Sequence, residues 1–283
     1  MNCAWDAYMK LVPKRFSHET NRFENGLQEL RLRLGRCPEL VVGNRSIWLK
    51  DTVAKEDIDF VINIASRYSP WTATSVAHGY ITAQGGHRVG VCGEMNVIDG
   101  HPVSVRFATS VSLRVARDFP NISGNLKDLK GSVLMIGCPG SGKTTLLRDL
   151  VRKISTERDG AVVVVDERQE IFPYAGGSFT FPPGSRTDVL SGCSKTSGIE
   201  MALKTMSPQI IAVDEITSLA DCNALMHSCW CGVSFLATAH ASSVQDLKHR
   251  AAYRPLLENH LFEHLIILRP DKSWILKGWN NEL

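Results

Sequence analysis

The chain has 283 residues, 43% hydrophobic and 22% charged, with 32 Lys and Arg against 29 Asp and Glu. That length suits about two domains at ~150 residues each, and the apolar share excludes wholesale disorder. A net charge of +3 is too slight for a dedicated nucleic-acid binder, so nucleic acid is not an expected partner. No apolar run reaches the ~18 residues that cross a bilayer, and the N-terminal stretch through Phe16 carries Asp6 among alternating polar residues. Neither a span nor a signal peptide is expected, and a cytoplasmic location is. Eight cysteines are scattered without a C-x-x-C pair, which speaks against a disulfide framework. Cys222, His227, Cys229 and Cys231 cluster, but no complete tetrad surrounds them, and a buried helix followed by a turn accounts for the spacing.

The first domain is expected to span residues 1–120. Arg31, Arg33 and Arg36 alternate with Leu32 and Leu34, the pattern of a strand with a solvated basic face. Residues 40–42 and 47–49 flank Gly43-Asn44, a hairpin signal. Ile58, Val61, Ile62, Ala65 and Tyr68 recur at helical spacing, which predicts a helix capped near Thr52. Residues 79–83 and 87–91 flank Gly85-Gly86, and Val97-Ile98 faces residues 102–105 across Asp99-Gly100. These turns need positive φ, which Gly adopts at no steric cost. The domain therefore reads as α+β, a helix-decorated antiparallel sheet. The pattern changes at residues 119–124, where the boundary is placed.

Residues 121–283 form the expected second domain. Short apolar runs at 133–136, 162–165, 210–213, 233–237 and 265–268 alternate with helical segments, as buried parallel strands with crossover helices do. The first run leads into Gly137-Cys138-Pro139-Gly140-Ser141-Gly142-Lys143-Thr144, a complete G-x-x-x-x-G-K-[ST] phosphate loop followed by an amphipathic stretch from Thr145. Glycines let backbone N–H groups curl around phosphate, and the helix N-terminus adds dipole and free donors. ATP is the expected ligand, held by Gly137, Pro139, Gly140, Ser141, Gly142, Lys143, Thr144 and Thr145. Lys143 is expected on the β- and γ-phosphates, and Thr144 on Mg²⁺. The run 162–165 ends in Asp166-Glu167, and the run 210–213 ends in Asp214-Glu215. Acidic residues at the carboxyl ends of parallel strands sit at the functional edge, so Asp214 is expected to hold Mg²⁺ and Glu215 to polarise water. His240 ends a further strand, where an imidazole senses phosphate or is simply structural.

The order phosphate loop, acidic strand end, Asp-Glu strand end and Thr238-Ala239-His240-Ala241 resembles the secretion ATPases of type II and type IV systems. Within that group the chain is similar to the stage III sporulation AA family of endospore-forming bacteria. That likeness rests on Arg186-Thr187-Asp188-Val189-Leu190-Ser191-Gly192-Cys193-Ser194-Lys195, Met206-Ser207-Pro208 and Val213-Asp214-Glu215-Ile216. It extends to Gly79-Tyr80-Ile81-Thr82, Gly85-Gly86-His87-Arg88-Val89-Gly90, Leu113-Arg114-Val115-Ala116-Arg117, Arg254-Pro255 and Phe262-Glu263, covering the chain from about residue 27.

The resemblance implies a RecA/AAA-like P-loop NTPase domain with a parallel-rich sheet behind the smaller α+β domain. It implies a hexameric mother-cell ATPase, peripheral to the membrane proteins of the stage III channel, that energises transport between mother cell and forespore. It places Asp166 and Glu167 in the acidic box, Asp214 and Glu215 in Walker B, and His240 in the histidine box, with Glu215, Glu167 and His240 catalytic. Lys143 is the only cation that motif spacing places in the second domain. An arginine from a neighbouring subunit is therefore expected, with Arg114 or Arg106 implied by the resemblance and Arg117 and Arg186 as alternatives. Lys204, Gln209, Thr217-Ser218 and His264 depart from the family pattern. Two other readings carry less: a pilus, type II or conjugative ATPase, whose Walker B has Gly-Glu in place of Asp214-Glu215, and a nucleotide-switched binder of single-stranded nucleic acid. The latter's plastid and cyanobacterial relatives carry a small C-terminal module, for which no room is expected here.

Overall fold

The computed structural model describes residues 2–67, 79–157, 160–175 and 177–279. They divide into two compact units, 1–118 with 173–180, and 119–172 with 181–283.

In the first unit, α1 (Trp5–Leu11) and α2 (Lys14–Asn21) precede β1 (Leu27–Arg33), β2 (Glu39–Val42), β3 (Arg45–Trp48) and α3 (Lys55–Ser66); β4 (Tyr80–Thr82), β5 (Arg88–Ile98) and β6 (His101–Arg114) complete the sheet. Its order is β3-β2-β1-β6-β5-β4, antiparallel throughout. Leu30, Leu32, Leu40, Val89 and Leu113 face a core shared with Tyr8, Phe16, Ile58 and Val61, because alternate strand residues point to one side. The expected turns form with Gly43 at φ +59°, Gly85 at +83° and Gly100 at +79°. The cap of α3 lies elsewhere than Thr52: Asp57 reaches back and accepts the Ala54 N–H at 2.7 Å, so a carboxylate in the first turn does the capping. Tyr68 lies outside the described residues.

The second unit contains β7 (Val133–Gly137), α4 (Lys143–Glu157) and β8 (Val162–Asp166). The short pair β9 (Tyr174–Ala175) and β10 (Ser178–Phe179) counts with the first unit. Then come β11 (Thr187–Ser191), α5 (Lys195–Thr205), β12 (Ile210–Ile216), α6 (Leu219–Cys229), β13 (Ser234–His240), α7 (Val244–His249), α8 (Arg254–Glu258), β14 (His264–Leu268) and β15 (Trp274–Gly278). The sheet order is β11-β8-β12-β13-β7-β14-β15, parallel except for β15 against β14. All five residues of β7 and of β8 are buried, which explains their unbroken apolar runs. This is the fold of a P-loop NTPase with a parallel-rich sheet.

Candidate nucleotide site

Because β7, β8, β12 and β13 run parallel, their carboxyl ends share one edge, where such sheets bind ligands. The strand order matters more than the sequence order. β13 lies between β7 and β12, with His240 opposite Gly137, so the histidine stands between the phosphate loop and the Walker carboxylates.

The loop runs from Gly137 to the start of α4. Gly140 has φ +77° and Gly142 +98°, and a Cβ on either would meet nothing within 4 Å. Their need for glycine is therefore conformational. At Gly137 it is steric: a Cβ would lie 2.6 Å from Ser141 Oγ and 2.9 Å from the Leu268 carbonyl. The first N–H groups of α4 carry no intrahelical partner and point into the loop with the positive end of the dipole.

Lys143 is buried. Its Nζ donates to the Gly137 carbonyl at 2.9 Å and the Cys138 carbonyl at 3.0 Å, and lies 3.0 Å from His240 Nδ1. Burial lowers its pKa, and the nearby Asp214 and Glu215 carboxylates offset part of that. Since the ammonium donates to Nδ1, His240 carries its proton on Nε2, 3.0 Å from Glu215 Oε1. Burial raises the Glu215 pKa, but Arg168, His240 and Lys143 outweigh it and hold the carboxyl below the ordinary range. Arg168 donates to the other Glu215 oxygen.

Thr144 Oγ1 donates to Asp214 Oδ2 at 2.6 Å. Two hard oxygens side by side at a helix N-terminus suit Mg²⁺, which takes carboxylate, hydroxyl, water and phosphate oxygens. The glycine-shaped loop, with a buried ammonium held by two backbone carbonyls and an imidazole nitrogen and by no carboxylate among the described residues, suits a polyphosphate.

The acidic box divides. Asp166 is buried and accepts the N–H groups of Glu170, Ile171 and Phe172 at 2.9, 3.0 and 2.9 Å. Burial raises its pKa against those bonds, with Asp214 adding to the rise. Asp166 thus holds the turn after β8, while Glu167 pairs with the buried Lys195. Motif spacing missed both Arg168 and Lys195 as cations at this edge. Their signals were present, since Arg168 directly follows Asp166-Glu167 and Lys195 closes the 186–195 segment.

Arg114 ends β6 in the first unit. With Arg31 and Arg88 it lines an open cavity of about 450 Å³ that Glu29 also borders. Arg88 stacks over the Tyr80 ring at 4.1 Å, and Arg31 donates to Glu29 at 3.0 Å. Arg106 pairs with Glu94 at 3.1 Å on an exposed stretch. Arg117 is used on the Glu24 and Leu27 carbonyls.

The departures from the family pattern have local roles. Thr217 and Ser218 donate their N–H groups to Asp221, and Ser218 caps α6. Lys204 pairs with Glu200 one turn away, and His264 bonds the Lys130 carbonyl at 2.9 Å. Among the described residues, no group of three His, Cys, Asp or Glu is disposed to hold a metal. No helix there is long and apolar enough to cross a membrane.

The pilus retraction motor PilT with bound ADP superposes with a TM-score of 0.63 at 14% identity, covering 93% of this chain and 81% of that one. The ATPase DotB of Legionella pneumophila gives 0.57 at 18%, covering 92% and 77%. Stage III sporulation protein AA of Bacillus subtilis (strain 168) is 34% identical over 257 residues, 87% of this chain and 84% of that protein. The family described as Sporulation stage III, protein AA matches residues 9–279, and the chain belongs to that family.

Proposed function

We propose that the chain is a Mg²⁺-dependent ATPase that works as a hexameric motor on the cytoplasmic side of a membrane complex. Its task is to power a secretion-like channel between mother cell and forespore. The observation that carries the reading is one connected cluster: Lys143, His240 and Glu215 in hydrogen-bond sequence behind the phosphate loop, with Thr144 on Asp214 beside them. In the division of labour we propose, residues 121–283 hydrolyse ATP and residues 1–120 serve assembly and coupling.

The roles follow from the contacts. The loop N–H groups and Lys143 bind the phosphates, the ammonium exchanging the Gly137 and Cys138 carbonyls for phosphate oxygens. Thr144 and Asp214 hold Mg²⁺, which when bound neutralises charge on the phosphate oxygens. Glu215 orients the attacking water. Its carboxylate already has His240 on one oxygen and Arg168 on the other, so it releases one partner to accept the water. His240 links Lys143 to Glu215 and thereby reports the state of the loop to the water-orienting group. Glu167 stands by on the adjacent strand, and Arg114 is the arginine we assign to a neighbouring subunit's nucleotide.

The test is Lys143→Ala in the purified chain. Hydrolysis should fall to background while the melting temperature holds, and wild-type activity per subunit should rise with concentration as oligomers form. Normal turnover by the variant would refute the site, and full activity in a dilute monomer would refute the need for assembly.

A further inference from the structure

Asp214 and Glu215 are consecutive residues of β12, and consecutive residues of an extended strand point to opposite faces. Both carboxylates nevertheless serve one site, Asp214 at Thr144 and Glu215 at His240. The pairing of β12 with β13 shows how. Val213 stands opposite Ala237 and Ile216 opposite Ala239, with the register shifting between them. Two residues of β12, Asp214 and Glu215, therefore face one residue of β13, Thr238. This is a β-bulge, a device that re-aims a side chain beside a functional site. It places Glu215 at φ +51°, the left-handed region that a side chain other than glycine adopts only when its surroundings hold it there.

Thr238 does the holding. It is fully buried, and its hydroxyl is used twice. Oγ1 accepts the Glu215 N–H at 2.8 Å and donates its proton to Asp214 Oδ1. The same Glu215 N–H lies 3.1 Å from Asp214 Oδ1, which closes a compact ring of three bonds. A hydroxyl is needed because one atom must both accept and donate. The ring ties Asp214 Oδ1 to the protein, so that Oδ2 alone faces Thr144. It also fixes the backbone from which Glu215 reaches His240.

We propose that Thr238 is a positioning residue for nucleotide hydrolysis: it divides the work of the two Walker carboxylates, aiming one Asp214 oxygen at the cation and Glu215 at the water. This deepens the ATPase reading and rests on it.

Thr238→Val keeps the side-chain shape and removes the hydroxyl, whereas Thr238→Ser keeps the hydroxyl. The variants are compared by steady-state hydrolysis, by Mg²⁺ titration of fluorescent ATP-analogue binding, and by thermal melting. Loss of a hydrogen bond to a charged group predicts a kcat about 10- to 100-fold lower for Thr238→Val. Mg²⁺-free nucleotide affinity should stay unchanged and the Mg²⁺ midpoint should rise. Thr238→Ser should restore both rate and midpoint. Wild-type kcat and midpoint in the valine variant would overturn the proposal. So would a parallel loss of rate, Mg²⁺-free affinity and melting temperature, which would mark Thr238 as a packing residue. If the wild type binds nucleotide but hydrolyses none, the ATPase reading fails. The Mg²⁺ midpoint then still decides whether Thr238 aims Asp214.

Discussion

The imidazole of His87 predicts a pH-dependent stability confined to the first unit. His87 is fully buried. Its Nε2 donates to the Ala4 carbonyl at 2.9 Å and its Nδ1 accepts the Ala116 N–H at 3.1 Å, so one neutral tautomer satisfies both. It thereby joins the segment before α1 to the segment after β6. Burial, opposed by the bond to Ala4 and aided by the positive charge of Arg117, lowers its pKa from 6.5 to about 4. A folded-state pKa below the unfolded one means that the stabilisation is complete above the unfolded value. It is lost as pH falls from about 6.5 toward 4. Between pH 7 and pH 5 the loss is about 2 kcal/mol, approaching ~3 below pH 4, at ~1.36 kcal/mol per pKa unit. His87→Gln can still donate and accept but does not titrate. Hydrogen exchange of the Ala116 amide across a urea series, corrected for intrinsic rates, reads the stability of this unit at each pH. The wild type should lose about 2 kcal/mol more than His87→Gln between pH 7 and pH 5. Equal losses in the two proteins would refute the assignment of a buried, neutral imidazole.

Two further predictions test the site and the fold. Glu215→Gln should bind Mg-ATP normally and turn it over at least tenfold more slowly, whereas Asp214→Asn should weaken the Mg²⁺ dependence of binding; equal loss of affinity in both would contradict the separate roles. At Gly93, where β5 bulges against β6, a Cβ would collide with the Phe107 carbonyl and lie 2.8 Å from Ala108 Cα. Gly93→Ala should therefore cost about 1–3 kcal/mol in urea unfolding and loosen the hairpin, and a neutral effect would show that the close approach is absent.

Much of this was legible in the sequence, for reasons that residues make plain. The phosphate loop could be read because its glycines, lysine and threonine do their work within eight consecutive positions. The strands of the second unit could be read because burial on both faces leaves unbroken runs such as 162–165. Strand order could not be read, since nothing local in 234–240 says that this strand inserts between β7 and β12. Read locally, His240 is accordingly more often structural than functional, and it is the family likeness that raises it. The bulge at Asp214-Glu215 was hidden for a related reason, because the register of a parallel pair is a property of two distant segments. The expected α3 cap at Thr52 lies two positions before the observed one at Ala54, because a first-turn Asp57 substitutes for the Ser or Thr usually found at the cap itself.

Charge at the strand ends follows a rule that the motif alone does not express. Two acidic strand ends side by side would repel each other, and Lys143 alone would leave them undercompensated. The structure meets this pair by pair. Glu215 has Arg168 and His240, and Glu167 has Lys195. Asp166 turns inward onto three backbone N–H groups. Lys143 is thus the only cation that motif spacing places but not the only one at this edge, which removes part of the reason for seeking one in a neighbouring subunit. What Arg168 and Lys195 cannot do while paired is face a phosphate. Lys143 differs from them, since its side chain bonds two carbonyls and the Nδ1 of His240 and no carboxylate among the described residues. A polyphosphate displaces those partners at less electrostatic cost than it would a carboxylate. Among the described residues, the site thus leaves one cation without a carboxylate partner and pairs the others with its carboxylates. In the ATPase reading we propose, additional charge for the transition state comes from releasing Arg168 or from outside the subunit, with Arg114 the outside candidate.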